Sequence, residues 1–201
     1  MKKIFKYIFA GMAAMSVVAC SEDALETSPS SSVSGNELLG TATNALVSLN
    51  GVYRAMYTAG VSNSSNTHQC FGITAYNLVA DVMGEDCIMN GQGSGWFWYD
   101  CVYNVKSRYT STGWRSYDMW NGYYTWISNV NYILAEEETM SGSETEKNYV
   151  LGQAYAVRAY SYFMLAQMFS RTYKRHESEP CVPLYTCLLY TSPSPRDRTR
   201  S

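Results

Sequence analysis

Apolar residues recur every three or four positions in three parts of the chain, a pattern that predicts amphipathic helices. The first helix follows a capping box formed by Ser34 and Glu37. Its apolar stripe comprises Leu38, Ala42, Ala45, Leu49, Val52 and Met56. Gly51 lies within this helix and weakens it by up to about 1 kcal/mol relative to alanine, so we expect Gly51 to allow close packing against a neighbouring element.

Two longer helices are predicted towards the end of the chain. One spans Gly113 to Glu138, and the other follows a second capping box, at Ser143 and Glu146. Their apolar stripes are expected at Tyr117, Trp120, Tyr124, Ile127, Asn131 and Leu134, and at Leu151, Tyr155, Arg158, Tyr162, Leu165 and Phe169. Joined by a turn at residues 140–142, these helices predict a helical hairpin and hence an all-α fold of tetratricopeptide-like hairpins.

One member of the last stripe, Arg158, is charged. An unpaired buried charge would cost several kcal/mol, so we expect a carboxylate or backbone carbonyls to pair with Arg158. Because the planar guanidinium suits a fixed ion pair, we interpret the role of this arginine as structural rather than as ligand binding.

Between these helices the chain is predicted to form a shorter helix and then a glycine-rich loop. The helix is expected from Gln69 to Met83, ending near Gly84. The loop runs from Gly91 to Gly95 and leads into Trp96. Neither the spacing GxxxxGK[ST] nor a strand followed by GxGxxG is present, so we interpret these glycines as loop residues and not as a nucleotide site.

The first residues have the pattern of a bacterial lipoprotein signal. Three lysines precede an apolar stretch of 13 residues, Tyr7 to Ala19, which ends directly before Cys20. At about 1.5 Å per residue this stretch is too short to cross a hydrocarbon core of roughly 30 Å. We therefore expect residues 1–19 to be a signal peptide, Cys20 to be the lipidated residue, and the serine-rich residues 20–34 to be a tether.

The last residues resemble a translated sequencing adapter. Cys187 to Asp197 match, in one reading frame, the DNA of a transposase-end adapter. A natural disordered tail is the alternative interpretation of this Pro/Ser/Arg-rich composition. Because eleven consecutive residues match, we expect residues 187–201 to be an artefact and the natural reading frame to be interrupted near Thr186.

Charge argues against nucleic acid as a partner. The whole chain has 15 Lys and Arg and 17 Asp and Glu, and residues 20–186 retain 9 basic and 16 acidic residues, a net charge of −7. Nucleic-acid binding relies on clustered lysine and arginine that displace counterions, so this negative net charge argues against it.

Four cysteines remain once Cys20 and the adapter-like residues are set aside. They are Cys70, Cys87, Cys101 and Cys181. Two disulfides or four buried thiols are both compatible with this number, and the spacing matches no zinc motif. We favour buried thiols, because free cysteines behave as small hydrophobic residues.

Aromatic residues are concentrated in the middle of the chain, where all five tryptophans are among 12 aromatic residues within 31 positions. Aromatic faces can cover the apolar faces of sugar rings, and core packing is the competing explanation. Core packing is expected for the tryptophans of the predicted helix, Trp114, Trp120 and Trp126. Loops often display binding residues, so the candidate ligand-binding residues are those beside the glycine-rich loop: Trp96, Trp98, Tyr99 and Asp86.

Acidic residues near this loop suggest further chemistry. Asp81, Glu85, Asp86 and Asp100 could hydrogen-bond sugar hydroxyls or hold calcium, but the EF-hand spacing is absent and solvated surface is the simpler interpretation. A glycoside hydrolase needs two carboxylates facing each other, which sequence spacing cannot establish. With two histidines and no nucleophile elbow, we assign no catalytic residue, metal or cofactor.

Several stretches, taken in order, resemble one known family. They are Leu25 to Pro29, Ala45 to Tyr57 with the core LNGVYRAMY, and Gln153 to Phe169 with AYAVRAYSYFMLAQMF. Trp120 and Asn131 in WNGYYTWISNVNYI, and Val182 with Pro183, also fit. Together they resemble the SusD/RagB family, surface lipoproteins of Bacteroidota, over roughly residues 20 to 185.

The resemblance implies a non-enzymatic lipoprotein at the outer membrane, facing the cell exterior. Such proteins capture a nutrient, usually a glycan or oligosaccharide, and deliver it to a SusC-like TonB-dependent transporter. A peptide-capturing member of the same family and a surface glycoside hydrolase are the alternatives. Family members are considerably longer, so residues 35–186 are expected to be the N-terminal part of a truncated SusD-like helical domain.

Overall fold

Helices and the loops between them make up the described part of the chain. A computed structural model describes residues 38–62, 66–93, 95–103 and 113–186. Its helices are α1 (Ala42–Ala55), α2 (Ile73–Met83), the single-turn α3 (Trp98–Cys101), α4 (Trp114–Ala135) and α5 (Glu144–Phe169). Within these ranges no β-strand forms, and the prediction of an all-α fold is confirmed.

Some predictions concern residues outside the described ranges. They are the signal peptide at 1–19, the lipidation site Cys20, the tether at 20–34, the capping box at Ser34 and Glu37, and the adapter-like residues 187–201. Those predictions therefore remain untested by the fold. Of the helices that are described, none has both the length and the apolar composition needed to cross a membrane.

Helix α1 begins later than the apolar pattern indicates. Its N-cap is Thr41, whose side chain accepts a hydrogen bond from Asn44 N. The chain bends just before it, at Gly40, because Ser141 N donates to Gly40 O at 3.0 Å and Ala42 N donates to Ser141 O at 2.9 Å. The predicted continuous helix from Leu38 is therefore wrong, since contacts with the α4–α5 connection interrupt it.

The apolar stripe of α1 is otherwise as predicted. Its buried members are Ala42, Ala45, Leu49, Val52 and Met56, whereas Leu38 is exposed. Gly51 faces solvent, and a Cβ atom added there would meet no atom within 4 Å. The expectation that Gly51 allows close packing is therefore wrong.

Helix α2 starts at Ile73, four residues after the predicted Gln69, and ends before Gly84 as predicted. A backbone contact explains the late start. Ile73 N donates to Met56 O at 2.8 Å, and a Cβ on Gly72 would lie 1.9 Å from the same oxygen. Only glycine tolerates this approach together with the positive φ of 69° at that position. The end of α1 thus determines where α2 begins.

Helices α4 and α5 form the predicted antiparallel hairpin. The pairs across it run in opposite order: Trp120 with Phe169 at 5.1 Å between ring centroids, Asn131 with Arg158, and Glu137 with Tyr155. The capping box at Ser143 and Glu146 is confirmed, since each side chain bonds the backbone of the other residue.

The predicted stripes of the hairpin are confirmed only in part. Ile127, Asn131, Leu151 and Leu165 are buried as predicted. The other buried positions lie beside the predicted ones: Met119, Tyr123, Trp126, Val130 and Ile133 in α4, and Val150, Ala154, Val157 and Ser161 in α5. Tyr117 is 52% exposed and Tyr155 is 42% exposed, against expectation. Both helices carry apolar or aromatic residues around most of their circumference, so two neighbouring stripes fit the helical period and tertiary packing selects between them.

Arg158 does not find the partner expected for it. Its Nη1 donates to the side-chain oxygen of Asn131 at 3.0 Å, and its guanidinium lies 5.0 Å from the centre of the Tyr155 ring. The expected carboxylate or backbone carbonyl is absent among its described contacts, because Arg158 is only half-buried at the edge of the hairpin. A neutral amide and an aromatic face suffice for a charge that remains partly hydrated.

Candidate functional site

The loop that precedes α3 and the helix α3 itself each display one aromatic ring on the surface. Trp96 is 50% exposed and Tyr99 is 53% exposed, while Phe97 and Asp100 are buried and Trp98 is half-buried. The short helix α3 produces this alternation, because it turns Phe97 and Asp100 inward and leaves the rings of Trp96 and Tyr99 outside. Of the three aromatic residues predicted to bind ligand, Trp96 and Tyr99 are therefore exposed and Trp98 is only partly accessible.

Phe97 adopts a backbone conformation that is uncommon for a bulky residue. Its φ of 55° lies in the left-handed region. Such a conformation costs on the order of 1–3 kcal/mol and persists when surrounding contacts enforce it. Here Phe97 N donates to Gln69 Oε1 at 2.9 Å, and Phe97 O accepts from Asp100 N and Cys101 N.

Arg115, at the start of α4, joins these segments. Its Nη1 donates to Gln69 O at 2.8 Å, and its Nη2 donates to Gln69 Oε1 at 3.3 Å. The same Nη2 lies 3.1 Å from Asp100 Oδ2 in an ion pair that is buried on both sides. The guanidinium also packs 5.1 Å from the centre of the Phe97 ring and 4.2 Å from that of Trp114.

Burial affects the charge of Arg115 without removing it. Desolvation lowers the pKa of Arg115 to about 10, while the nearby Cys70 and Asp118 raise it. A pKa of about 10 keeps the guanidinium protonated at neutral pH. Arg115 therefore remains a cationic donor beside Asp100 Oδ2 at neutral pH.

His68 extends the exposed aromatic surface. Its ring lies 4.9 Å from that of Trp96, measured between centroids, with 33° between the ring planes. Gln69 Nε2 lies 3.2 Å from His68 Nε2. Gln69 therefore contacts Phe97 and Arg115 through its side-chain oxygen and His68 through its nitrogen.

A buried polar cluster lies behind this loop. Ser62 Oγ donates to Asp118 Oδ1, and Tyr76 OH donates to Asp118 O at 3.0 Å. Burial raises the pKa of the Asp118 carboxyl, although the Ser62 hydrogen bond lowers it. Burial also raises the pKa of the Cys70 thiol to about 12. The cluster attaches the end of the 60–70 segment to α4, and we assign it a structural role.

The remaining candidates are placed differently. Asp86 is exposed ten residues before Trp96, and the described contacts do not join it to the hydrogen-bonded group around Arg115. Asp100 is in the buried ion pair, so the expectation of a solvated or ligand-facing carboxylate is wrong for this residue. Asp81 and Glu85 are exposed. Across the described ranges, no group of three His, Cys, Asp or Glu side chains is arranged to hold a metal ion.

The helix tryptophans only partly follow the prediction of core packing. Trp126 is buried, Trp114 is half-buried against Arg115, and Trp120 remains exposed at the hairpin edge. Trp120 packs edge-on against Phe169 because that face of α4 lies beside the end of α5.

The cysteines also differ in part from the favoured interpretation. All four in the described ranges are free thiols, which confirms the preference for thiols over disulfides, but their burial differs from expectation. Only Cys70 is buried, while Cys87 and Cys181 are exposed and Cys101 is intermediate. The prediction of burial is wrong for Cys87, Cys101 and Cys181. Cys87 and Cys181 lie in loops, and Cys101 is the last residue of the single-turn helix α3.

Comparison with protein families gives one match, over residues 77–191, to a SusD-like family described as starch-binding and associating with the outer membrane. The match covers more than half of the chain. The chain belongs to the SusD-like family. No curated protein and no solved structure matches it. Membership supports the resemblance noted in the sequence and a binding function at the outer membrane.

In this SusD-like protein, sequence reasoning did not identify the residues that hold the aromatic loop. Gln69 was expected within a helix, Asp100 was expected at the surface, and Arg115 had no assigned role. One signal was available: Arg115 and Asp118 are three residues apart and so share a face of a helix that is otherwise strongly aromatic. Two charges on such a face indicate buried partners.

Proposed function

We propose that the protein is a surface lipoprotein that binds a glycan and delivers it to a SusC-like TonB-dependent transporter in the outer membrane. The observation that carries this proposal is the exposure of Trp96 and Tyr99 on a loop held by buried contacts. The family to which the chain belongs is described as starch-binding, which favours glucose polymers as the ligand class.

The chemistry of the surface suits sugar rings. The apolar face of a pyranose ring stacks on an indole or phenol face, and burying both apolar surfaces is favourable. Trp98, between Trp96 and Tyr99 in the chain, is half-buried and leaves part of its surface accessible. The carboxylate of Asp86 is exposed and can accept hydrogen bonds from sugar hydroxyls.

Membrane attachment in this proposal comes from the lipid on Cys20. Each buried methylene contributes about 0.8 kcal/mol, so two or more acyl chains anchor a protein stably. Replacing Cys20 by alanine is expected to abolish incorporation of labelled palmitate and to release the protein from the outer membrane. A matched control is Cys87→Ala, which removes an exposed thiol from the folded part. Palmitate in the Cys20→Ala protein would contradict the anchor.

Binding is tested with maltoheptaose by calorimetry and with soluble starch by affinity electrophoresis. Trp96→Ala and Tyr99→Ala are each expected to weaken maltoheptaose binding about tenfold through loss of ring stacking. The matched control is Tyr173→Ala, an exposed tyrosine beyond α5. Unchanged affinity in both loop variants would exclude this surface as the sugar site.

Two further results separate the alternatives. Retention of a TonB-dependent barrel during purification from outer membranes is expected for the proposed role. Binding of a peptide mixture in place of maltoheptaose would favour the peptide-capturing alternative. Cleavage of maltoheptaose, lost on replacement of Asp86, would favour a hydrolase.

A further inference from the structure

Arg115 is the point at which three separate segments meet. It lies in the first turn of α4 and contacts the turn at residues 66–69 through Gln69 and the aromatic loop through Asp100 and Phe97. It is only 2% exposed and is the one buried lysine or arginine in the described ranges. A cation is therefore kept in the interior, in contact with Phe97 and Asp100, the buried chain neighbours of the exposed Trp96 and Tyr99.

Stability alone is a poor explanation for such a residue. A buried ion pair often stabilises a fold no more than apolar residues of the same volume would, because both charges lose their hydration. A guanidinium does provide fixed directions, since its donors form a rigid planar fork. Here the fork reaches Gln69 O, Gln69 Oε1 and Asp100 Oδ2, and these acceptors lie on either side of Phe97 in the chain.

The acceptors of the Arg115 guanidinium surround Phe97, whose backbone conformation depends on such contacts. A left-handed backbone at phenylalanine is unfavourable and needs external contacts to persist. Gln69 Oε1 accepts from both Phe97 N and Arg115 Nη2, and the Arg115 guanidinium covers the Phe97 ring. The backbone turn at Phe97 determines the directions in which its neighbours Trp96 and Trp98 leave the chain.

The same group reaches the exposed surface. Gln69 Nε2 contacts His68, and the His68 ring packs on Trp96. Contacts therefore run without interruption from Arg115 through Gln69 and His68 to the indole of Trp96.

We propose that Arg115 is a positioning residue for the sugar-binding surface: through Gln69 and Asp100 it holds Phe97 in the left-handed conformation and thereby sets the orientation of the Trp96 and Tyr99 rings. This inference rests on the proposed function for its effect on affinity. Its effect on ring orientation is measurable without any ligand.

The test uses variants of Gln69, because removal of Arg115 would take away the buried countercharge of Asp100 and could prevent folding. Gln69→Met keeps the side-chain length but removes the acceptor for Phe97 N and Arg115 Nη2. Gln69→Glu keeps an acceptor oxygen and adds a charge beside the guanidinium, so it serves as the rescuing control. Arg115→Lys keeps the charge but loses the fork.

Two readouts are needed. The first is the ¹⁹F spectrum of the full chain labelled with 5-fluorotryptophan, in which Trp96 is assigned from Trp96→Phe. The second is maltoheptaose affinity. We expect Gln69→Met and Arg115→Lys to shift or broaden the Trp96 resonance and to weaken binding about tenfold. Gln69→Glu is expected to keep the native resonance and affinity within about twofold.

The outcomes distinguish the two proposals. A folded Gln69→Met protein with a native Trp96 resonance would overturn the positioning role. A perturbed resonance with unchanged affinity, together with unchanged affinity in both Trp96→Ala and Tyr99→Ala, would support positioning of the ring and overturn the sugar site. Loss of affinity in Trp96→Ala but not in Gln69→Met or Arg115→Lys would support the sugar site and overturn the role of Arg115.

Discussion

Arg158 Nη1 donates to Asn131 Oδ1 at 3.0 Å, and the amide thus oriented donates from Nδ2 to Tyr185 O at 2.8 Å. Tyr162 completes the attachment, since its hydroxyl donates to Tyr185 O and accepts from Tyr185 N. A half-buried arginine within the hairpin therefore helps to hold the segment that follows α5 against it.

Replacing Arg158 by methionine is expected to loosen this segment. The methionine preserves much of the apolar stem but cannot orient Asn131, and the lost hydrogen bond should reduce the free energy of unfolding by about 1–2 kcal/mol. Urea denaturation measures this loss, and hydrogen exchange at Tyr185 N reports the local release. Arg54→Met, at an exposed arginine of α1, is the control. Unchanged protection of Tyr185 N would contradict the prediction.

Two helical glycines should respond in opposite directions to alanine. A Cβ on Gly51 meets no atom within 4 Å, so Gly51→Ala should increase the free energy of unfolding by about 0.5–1 kcal/mol through helix propensity. A Cβ on Gly122 would lie 2.3 Å from the Tyr76 hydroxyl oxygen, so Gly122→Ala should decrease it by about 1–3 kcal/mol. Thermal melting of the Gly51→Ala and Gly122→Ala proteins measures both changes. An equal increase in melting temperature in the two variants would show that the packing around Gly122 relaxes to accept the added methyl group.

The capping box of α5 should make stability depend on pH. Hydrogen bonds from Ser143 lower the pKa of Glu146, so the ionised carboxylate favours the folded state. This contribution is present above the unfolded pKa of about 4.3 and is lost as pH falls through the lower folded pKa. Ser143→Ala should reduce stability by about 1 kcal/mol at pH 7.

The difference in free energy of unfolding between the wild type and Ser143→Ala should then become smaller below a pH of about 4. Urea denaturation at several pH values measures this difference. Glu146→Gln keeps a side-chain oxygen that accepts the Ser143 hydrogen bonds but has no carboxyl that titrates. The stability of this variant should therefore lack the pH-dependent contribution of Glu146. A constant difference across the acid range would contradict the linkage.

The cysteines should differ in reactivity. A brief pulse of iodoacetamide on the folded protein, followed by mass spectrometry of peptides, is expected to label Cys87 and Cys181 and to leave Cys70 unmodified. Cys70 is buried, and its pKa of about 12 leaves almost no thiolate at pH 8. Labelling of all three in urea provides the control. Rapid labelling of native Cys70 would show that the 60–70 segment opens readily.

Local signals in the sequence determined the helices and several of their ends. The capping box at Ser143 and Glu146 defines the start of α5, and Gly84 follows the end of α2 as predicted. These features depend on residues close together in the chain, which is why they can be derived without a structure.

Tertiary structure decided which faces of α4 and α5 are buried. Tyr117 and Trp120 have the spacing of a buried stripe, yet Tyr123 and Trp126 occupy the core. The sequence offers two stripes of similar apolar character, and the difference between them arises only from packing against α1, α2 and the opposite helix.

The sequence by itself also identified the exposed aromatic loop, because a glycine-rich stretch followed by Trp96 to Tyr99 is a local pattern. It did not reveal the support beneath that loop. Gln69, Asp100 and Arg115 are separated by 15 to 46 positions, and each is unremarkable in its own segment. Their contacts exist only after the turn, the loop and α4 have packed together, since a buried charge selects its partners by proximity in the folded chain and not by spacing along it.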